Sequence, residues 1–301
     1  MPIATGFSLT GDADGTLELK MIKRPYNICI VEPKGFGHSK AFEEVAEALD
    51  YSLKELGYPT ALSVNRVTDD AVNIIFGAHL LPLQDLHSLH PSTIIVNAEP
   101  LSATSERTRE RVLICLNAGL EIWDYSPANI EILNRIGGRP VKYLQLGFQK
   151  ELDRIAPAPV RDIDVLFYGS MNERRAEILY GLQARGLVIE HLFDVYGRER
   201  DAWIARSKVV LNMHLLESQI FEVVRVFYLL TNGVAVVGEV NGPETLIDER
   251  FAQGIVAASY NNLVDVTEQL VRDAARLENQ RILARDAIKR HPQVTFTQQL
   301  L

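Results

Sequence analysis

Short polar clusters that directly follow apolar runs are where this sequence could do chemistry. Asn212, His214, Glu217 and Ser218 follow the run 209–213, and Glu222 and Arg225 stand one helical turn apart just beyond them. Gly169, Ser170, Asn172, Arg174 and Arg175 follow 165–168 in the same way, and Lys34, Gly35, Gly37, His38 and Ser39 follow 26–32. Polar groups at strand C-termini and helix N-termini are where open α/β sheets bind anions, because free N–H groups and the helix dipole point there. The dipole disfavours two arginines in the first turn of a helix. A bound anion resolves that conflict at Arg174 and Arg175; an exposed pair bridged to Glu173 or Glu177 is the alternative. The glycines of the 34–39 loop let the backbone turn tightly and approach a ligand. A third glycine and a Walker lysine are missing, so no dinucleotide or P-loop fingerprint is present.

Other strand ends carry single polar groups. Tyr196 and Gly197 end the run 189–195. Glu99 follows 93–97 and is placed to touch a ligand, while Asp124 ends 120–123 and could bind a ligand or cap the helix starting near Pro127. His214, one residue past a buried strand, has no apolar duty. Asp162 and Asp164 imitate a DxD metal site but precede their strand, which puts them away from the ligand face. Asp12 and Asp14 lie in the N-terminal arm, and His87 and His90 have no third partner nearby, so no metal site is expected. No GxSxG or Cys/His nucleophile pattern occurs.

The elements that must position these groups alternate. Strands are expected over 26–32, 61–64, 72–76, 93–97 and 120–123, with a helix over 41–56 whose apolar residues recur every three to four positions. A second series holds strands over 165–168, 189–195, 209–213 and 234–238, helices over 173–185 and 220–231, and a long helix over 263–289. Nearly continuous apolar strands joined by helices mark a parallel sheet covered on both faces. The reading is α/β, with two Rossmann-like βαβ domains facing a cleft. An arm over 1–24 precedes a first domain over 25–150; a linker around Pro157 and Pro159 leads to a second domain over 160–290 and a tail over 291–301.

Composition narrows the function. With 301 residues, 47% apolar and 23% charged, the chain is an ordinary globular protein near the size where one core divides into two. A net charge of −8 and the lack of a basic stripe argue against a nucleic-acid partner. Cys29 and Cys115 sit in apolar segments and read as buried free thiols, as in a reducing cytosol. No apolar run reaches the roughly 18–20 residues of a membrane span, and 1–23 lacks a signal-peptide core, so a cytoplasmic location is expected.

The run Arg225, Val226, Phe227, Tyr228 through Gly233 to Val237 resembles the RxFExxAxGxxVV pattern of GT-B nucleotide-sugar glycosyltransferases, and within them the bacterial CgeB-like proteins. The resemblance covers about 26–290 and is topological in the first half. It implies that a hexosyltransferase moves a sugar from a nucleotide-sugar donor to an acceptor (a glycan, protein or small molecule), without metal or cofactor. Gly169, Ser170, Arg174 and Arg175 would then hold the diphosphate, Tyr196 and Gly197 border the nucleobase, and Asn212, His214, Glu222 and Arg225 complete the donor site. Gly35, Gly37, Glu99 and Asp124 would form the acceptor side, with His38 as general base, since an imidazole can take a proton from a sugar hydroxyl. The pattern's ribose-holding acid falls on Tyr228 here; Glu222 could replace it or merely pair with Arg225. That departure keeps a non-catalytic binding protein open. A GT-B sugar-nucleotide epimerase stays open too, while the missing fingerprint disfavours a two-domain oxidoreductase.

Overall fold

The computed structural model describes residues 6–11, 17–101, 105–215, 220–242, 245 and 247–301, with side chains from residue 23 onward. β1 (Gly6–Gly11) and β2 (Leu17–Ile22) pair antiparallel ahead of the first domain. Then β3 (Tyr26–Ile30), β4 (Thr60–Val64), β5 (Val72–Phe76), β6 (Ile94–Asn97), β7 (Glu121–Asp124) and β8 (Lys142–Tyr143) form a parallel sheet in the order β4-β3-β5-β6-β7-β8. Helices α1 (Glu43–Glu55), α2 (Leu83–His87), α3 (Glu106–Asn117) and α4 (Pro127–Ile136) belong to this domain. β3, β5 and β6 are buried almost throughout, which is why they are written as largely apolar runs, interrupted by Asn27 and Asn73 and ended by Asn97.

A second parallel sheet is built from β9 (Ile163–Tyr168), β10 (Ile189–Leu192), β11 (Ser207–Asn212), β12 (Ala235–Glu239) and β13 (Val256–Ala258), in the order β10-β9-β11-β12-β13. Around it lie α5 (Glu173–Ala184), α6 (Gly197–Arg206), α7 (Val223–Thr231), α8 (Glu249–Ala252), α9 (Leu263–Arg272) and α10 (Ala274–Lys289). The expected strand over 189–195 stops at Leu192, because Asp194 takes a left-handed φ of 59° and turns the chain out of the sheet. The single helix expected over 263–289 is two, broken at Asp273, whose carboxylate accepts from the Arg276 N–H at 2.9 Å and caps α10.

One apolar core runs through both domains. Ile28, Phe76, Leu49 and Leu53 of the first continue into Val210, Val226, Phe227 and Val236 of the second. The other face of each sheet carries its own core, around Ile75, Cys115 and Ile122 in the first and Phe167, Leu179 and Leu211 in the second. Both cysteines are free and buried. No helix crosses between β4 and β5, and an open groove of about 960 Å³ lies over Cys29, Val31 and Ile75 there. After α10 the chain returns to the first domain as α11 (Gln293–Leu300). Thr297 Oγ1 lies 2.7 Å from Ser52 Oγ of α1, and Gln293 Oε1 accepts from the Gly147 N–H at 2.8 Å. Among the described residues, no helix is long and apolar enough to cross a membrane.

Candidate active site

The C-terminal ends of the two sheets face each other across a cavity of about 460 Å³. Its second-domain wall begins at the turn after β9. Gly169 there has a φ of +134°, and a Cβ on it would stand 3.2 Å from Arg225 Nη2 and 3.7 Å from Arg175 Nη1. Only glycine lets the backbone pass so close to both arginines in that conformation. Asn172 then caps α5, its Oδ1 accepting from the Arg175 N–H at 3.0 Å.

Protein groups meet both arginines of the first turn, though not the neighbours Glu173 and Glu177. Arg175 donates to the carbonyls of Ser170 (2.8 Å), Met213 and His214 and pairs with Glu222 at 2.9 Å. Arg174 turns away from the cavity. It holds both carboxylate oxygens of the buried Glu239, with Nη1 to Oε2 at 2.7 Å, and lies over the Tyr260 ring at 3.9 Å. Arg174, Asn241 and the His214 N–H hold the Glu239 carboxyl below its usual range despite its burial. Arg225 faces the cavity, bridges Glu222 at 2.5 Å and donates to Asn212 Oδ1 at 3.1 Å. Its guanidinium stands over the Tyr168 ring at 4.9 Å.

Asn212 and His214 lie behind this wall. Asn212 is buried, and its Nδ2 has no hydrogen-bond partner among the described residues. The His214 ring is also buried, with the Ile220 backbone near it, and among the described residues its nitrogens have no hydrogen-bond partner of good geometry. Burial pushes this imidazole below its ordinary value, against the pull of Glu239 and Glu222.

From the first domain, the loop after β3 brings Phe36 and His38 to the cavity, and the loop after β6 brings Glu99. His38 Nδ1 lies 2.7 Å from Tyr196 Oη, a contact from one domain to the other that leaves Nε2 for a ligand. Phe36 and Phe193 pack edge-on against the same ring, each at 5.4 Å. A Cβ on Gly37 would meet the Asp194 carboxylate at 2.8 Å, so the loop needs glycine there for the close approach of the two domains. Gly35, at φ +78°, stands in open space. The side chains of Asn97 and Asn129 both donate to the Glu99 carbonyl, which fixes that loop. Burial raises the Glu99 carboxyl above its usual range. His79 is 3.9 Å away, but burial and Arg111 hold it down to about 4, so it offers Glu99 no positive charge at neutral pH.

Asp124 does not cap the helix that follows it. It is fully buried, accepts from Ser126 N–H (2.8 Å), Asn97 Nδ2 (2.6 Å) and Asn129 Nδ2 (3.1 Å), and ties β6 and β7 together beneath the Glu99 loop. Ser126 is the residue that caps α4. Desolvation outweighs these three donors and pushes the Asp124 carboxyl up to about 7.

Of the expected residues, His38, Glu99, Gly169, Ser170, Arg175, Tyr196, Glu222 and Arg225 line the cavity together. Gly197 starts α6 beside it, while Arg174, Asn212, His214 and Asp124 stand behind its walls. Glu217 and Ser218 lie outside the described residues, as do Asp12 and Asp14. Asp162 and Asp164 pair with Arg206 and Lys208 at the start of β9, remote from the cavity. Among the described residues, no three His, Cys, Asp or Glu side chains gather as a metal site.

The floor was not anticipated. Arg200 of α6 pairs with Glu44 of α1 at 2.6 Å, both buried, and the partly exposed Arg154 pairs with Glu47 at 2.9 Å, so ion pairs join the two domains. Tyr228, in the acid's place in the motif, donates to Asp201 Oδ2 at 2.7 Å and accepts from Arg154 Nε at 3.0 Å. The Glu44 and Glu47 spacing on α1 was the one available signal, because a carboxylate on the apolar face of a helix needs a buried partner.

This architecture is shared with solved structures. Anabaena Alr3699/HepE, crystallised with UDP and glucose, superposes with a TM-score of 0.62 at 13% identity, over 91% of this chain and 98% of that one. The DNA-modifying β-glucosyltransferase, crystallised with and without uridine diphosphoglucose, superposes at 0.56 with 11% identity, over 91% and 98%. The fold is GT-B. In sequence, the chain is 27% identical over 184 residues to uncharacterized protein L137 of Acanthamoeba polyphaga mimivirus, and 28% identical over 158 residues to its protein L140. Those matches take in 60% and 50% of this chain, which spans about a quarter of L137 (25%) and half of L140 (51%). No protein-family model matches the chain.

Proposed function

We propose that this GT-B protein transfers a sugar from a nucleoside-diphosphate donor, with UDP-glucose the first donor to test, and that its motif places it beside the CgeB-like proteins. The observation carrying this reading is the pairing of two walls across one cavity. Arg175, Arg225 and the Gly169–Ser170 turn lie on one side, and an imidazole and a carboxyl lie on the other. Neighbours of the same fold were crystallised with UDP-glucose or UDP.

In this reading the diphosphate lies at the β9 turn and the start of α5. Arg225 and Arg175, which share one carboxylate, leave a net positive charge to meet the leaving group. His38 Nε2 takes the proton of the acceptor hydroxyl, with Nδ1–H donating to Tyr196 Oη. The acceptor oxygen bonds to the anomeric carbon as the bond from that carbon to the diphosphate breaks. Glu99 orients the hydroxyl. Arginines rather than a metal ion carry the phosphate charge, so activity should persist in EDTA; one neighbour was crystallised with UDP and Mn²⁺, which makes that control necessary.

A thermal-shift screen against UDP, GDP, dTDP, ADP, CMP and NAD tests the ligand class. At 100 times its dissociation constant, the right nucleoside diphosphate should stabilise by about 2.7 kcal/mol. Stabilisation by NAD alone would refute the reading. Tyr228, tied to Asp201 and Arg154 where the motif has an acid, favours one second reading, a binder without turnover. Tight UDP binding with neither transfer nor donor hydrolysis would establish it.

A further inference from the structure

The other end of the second sheet holds a cluster that the cavity does not use. Arg161 precedes β9, and Gly233, at φ +62°, precedes β12, so both stand at the opposite ends of the strands from the cavity. A Cβ at Gly233 would meet Arg285 Nε at 3.0 Å and the Arg281 carbonyl at 3.5 Å, which places the interior of α10 against this spot. Arg285 pairs with Asp153 at 2.9 Å, and Arg161 with Glu278 at 3.6 Å. Arg281 has no ion pair among the described residues, although it is only 8% exposed. Its Nη1 and the Nε of Arg161 are both buried without a hydrogen-bond partner.

Three guanidinium groups therefore share two carboxylates, and two buried N–H groups lack acceptors. Burial, with Arg161 and Arg285 nearby, pushes the Arg281 guanidinium down to about 10 against the pull of Glu278. Leaving buried charged donors unmade is costly, and a single anion would satisfy both N–H groups and the excess charge together. Guanidinium forks match oxygens at fixed spacing, which favours a compact oxyanion over a halide.

We propose that Arg161, Arg281 and Arg285 form a second anion site, remote from the cavity, for one tetrahedral oxyanion of the phosphate or sulfate class. Its arginines come from the two segments that join the domains. Arg161 lies on the linker after β8, and Arg281 and Arg285 on the helix that leads into α11. An anion there fastens the two crossings to each other.

The test is titration of the full chain with inorganic phosphate at constant ionic strength, read by thermal unfolding and by calorimetry. Arg225→Met serves as background, to weaken phosphate binding in the cavity. A saturable rise of about 3 °C is expected once phosphate exceeds its dissociation constant about tenfold. Adding Arg281→Met should weaken phosphate at least about tenfold, and Arg161→Met, closer to the surface, should do the same if the first variant folds poorly. Sodium chloride at matched ionic strength should give no saturable rise. No response in the Arg225→Met background, an equal response to chloride, or a response that survives both arginine variants would overturn the site. None of these outcomes depends on whether the cavity binds nucleotides.

Discussion

Replacing Arg225 by Met separates phosphate recognition from structure at the proposed donor wall. The guanidinium makes an ion pair with Glu222 and a hydrogen bond to Asn212, and stands over the Tyr168 ring. Met keeps much of the side chain's length and removes its charge. Glu222 keeps Arg175 as a partner, so its charge stays compensated. Among the described residues, Asn212 loses its Oδ1 partner, and its Nδ2 has none already. Orphaning one buried acceptor costs about 1–3 kcal/mol, so stability to urea should drop by about 1–2 kcal/mol. Binding should change more selectively. A charge-assisted contact to phosphate is worth about 1.5–3 kcal/mol, so UDP should bind about 10- to 150-fold more weakly, while uridine keeps its affinity. Calorimetry with both ligands on both proteins measures the difference directly. Equal losses for UDP and uridine would mean that Arg225 shapes the wall without touching phosphate, and unchanged UDP affinity beside the stability loss would refute its role altogether.

His38→Ala should cut transfer by about 10²–10⁴ with UDP affinity unchanged, whereas Tyr196→Phe, which removes only the hydrogen bond to the ring, should cost about tenfold or less. Full activity in His38→Ala would remove the proposed base. Arg174→Met should lower stability by about 3 kcal/mol, because it strands the buried Glu239, yet leave UDP affinity within about twofold; a large affinity loss would return Arg174 to the phosphate site. Asp124 gives a pH signature. Burial pushes its carboxyl up to about 7 in the folded protein, against an ordinary aspartate value of about 4, so the folded protein holds the extra proton between those limits. Stability from this group is therefore full below about pH 4 and is lost as pH rises toward 7, by up to about 1.4 kcal/mol per unit. Asp124→Asn should flatten that slope in denaturation curves taken across pH 4–7, and an unchanged slope would refute the assignment.

The sequence by itself determined the alternation of parallel strands and helices, because strands covered on both faces must be written as apolar runs. It also placed the polar turns at strand ends, since only there can polar groups reach solvent or ligand. Gly169, Arg175, Arg225 and His38 reached one cavity for that reason. The break at Asp273 was missed, because helical periodicity on both sides masked the acidic cap. What the sequence could not decide was direction. Arg174 and Arg175 are adjacent, yet about 100° of helical rotation sends one to Glu239 and keeps the other at the cavity wall. Glu99 and Asp124 end neighbouring strands, but Asp124 is captured by Asn97 of the neighbouring strand and by Ser126 and Asn129 just beyond it. The approach of Gly37 to Asp194, the Arg200–Glu44 pair and the docking of α11 on α1 all join residues more than 150 positions apart. No local pattern specifies such partners; they exist only once both domains have packed, and they decide which polar residues face the cavity and which hold it together.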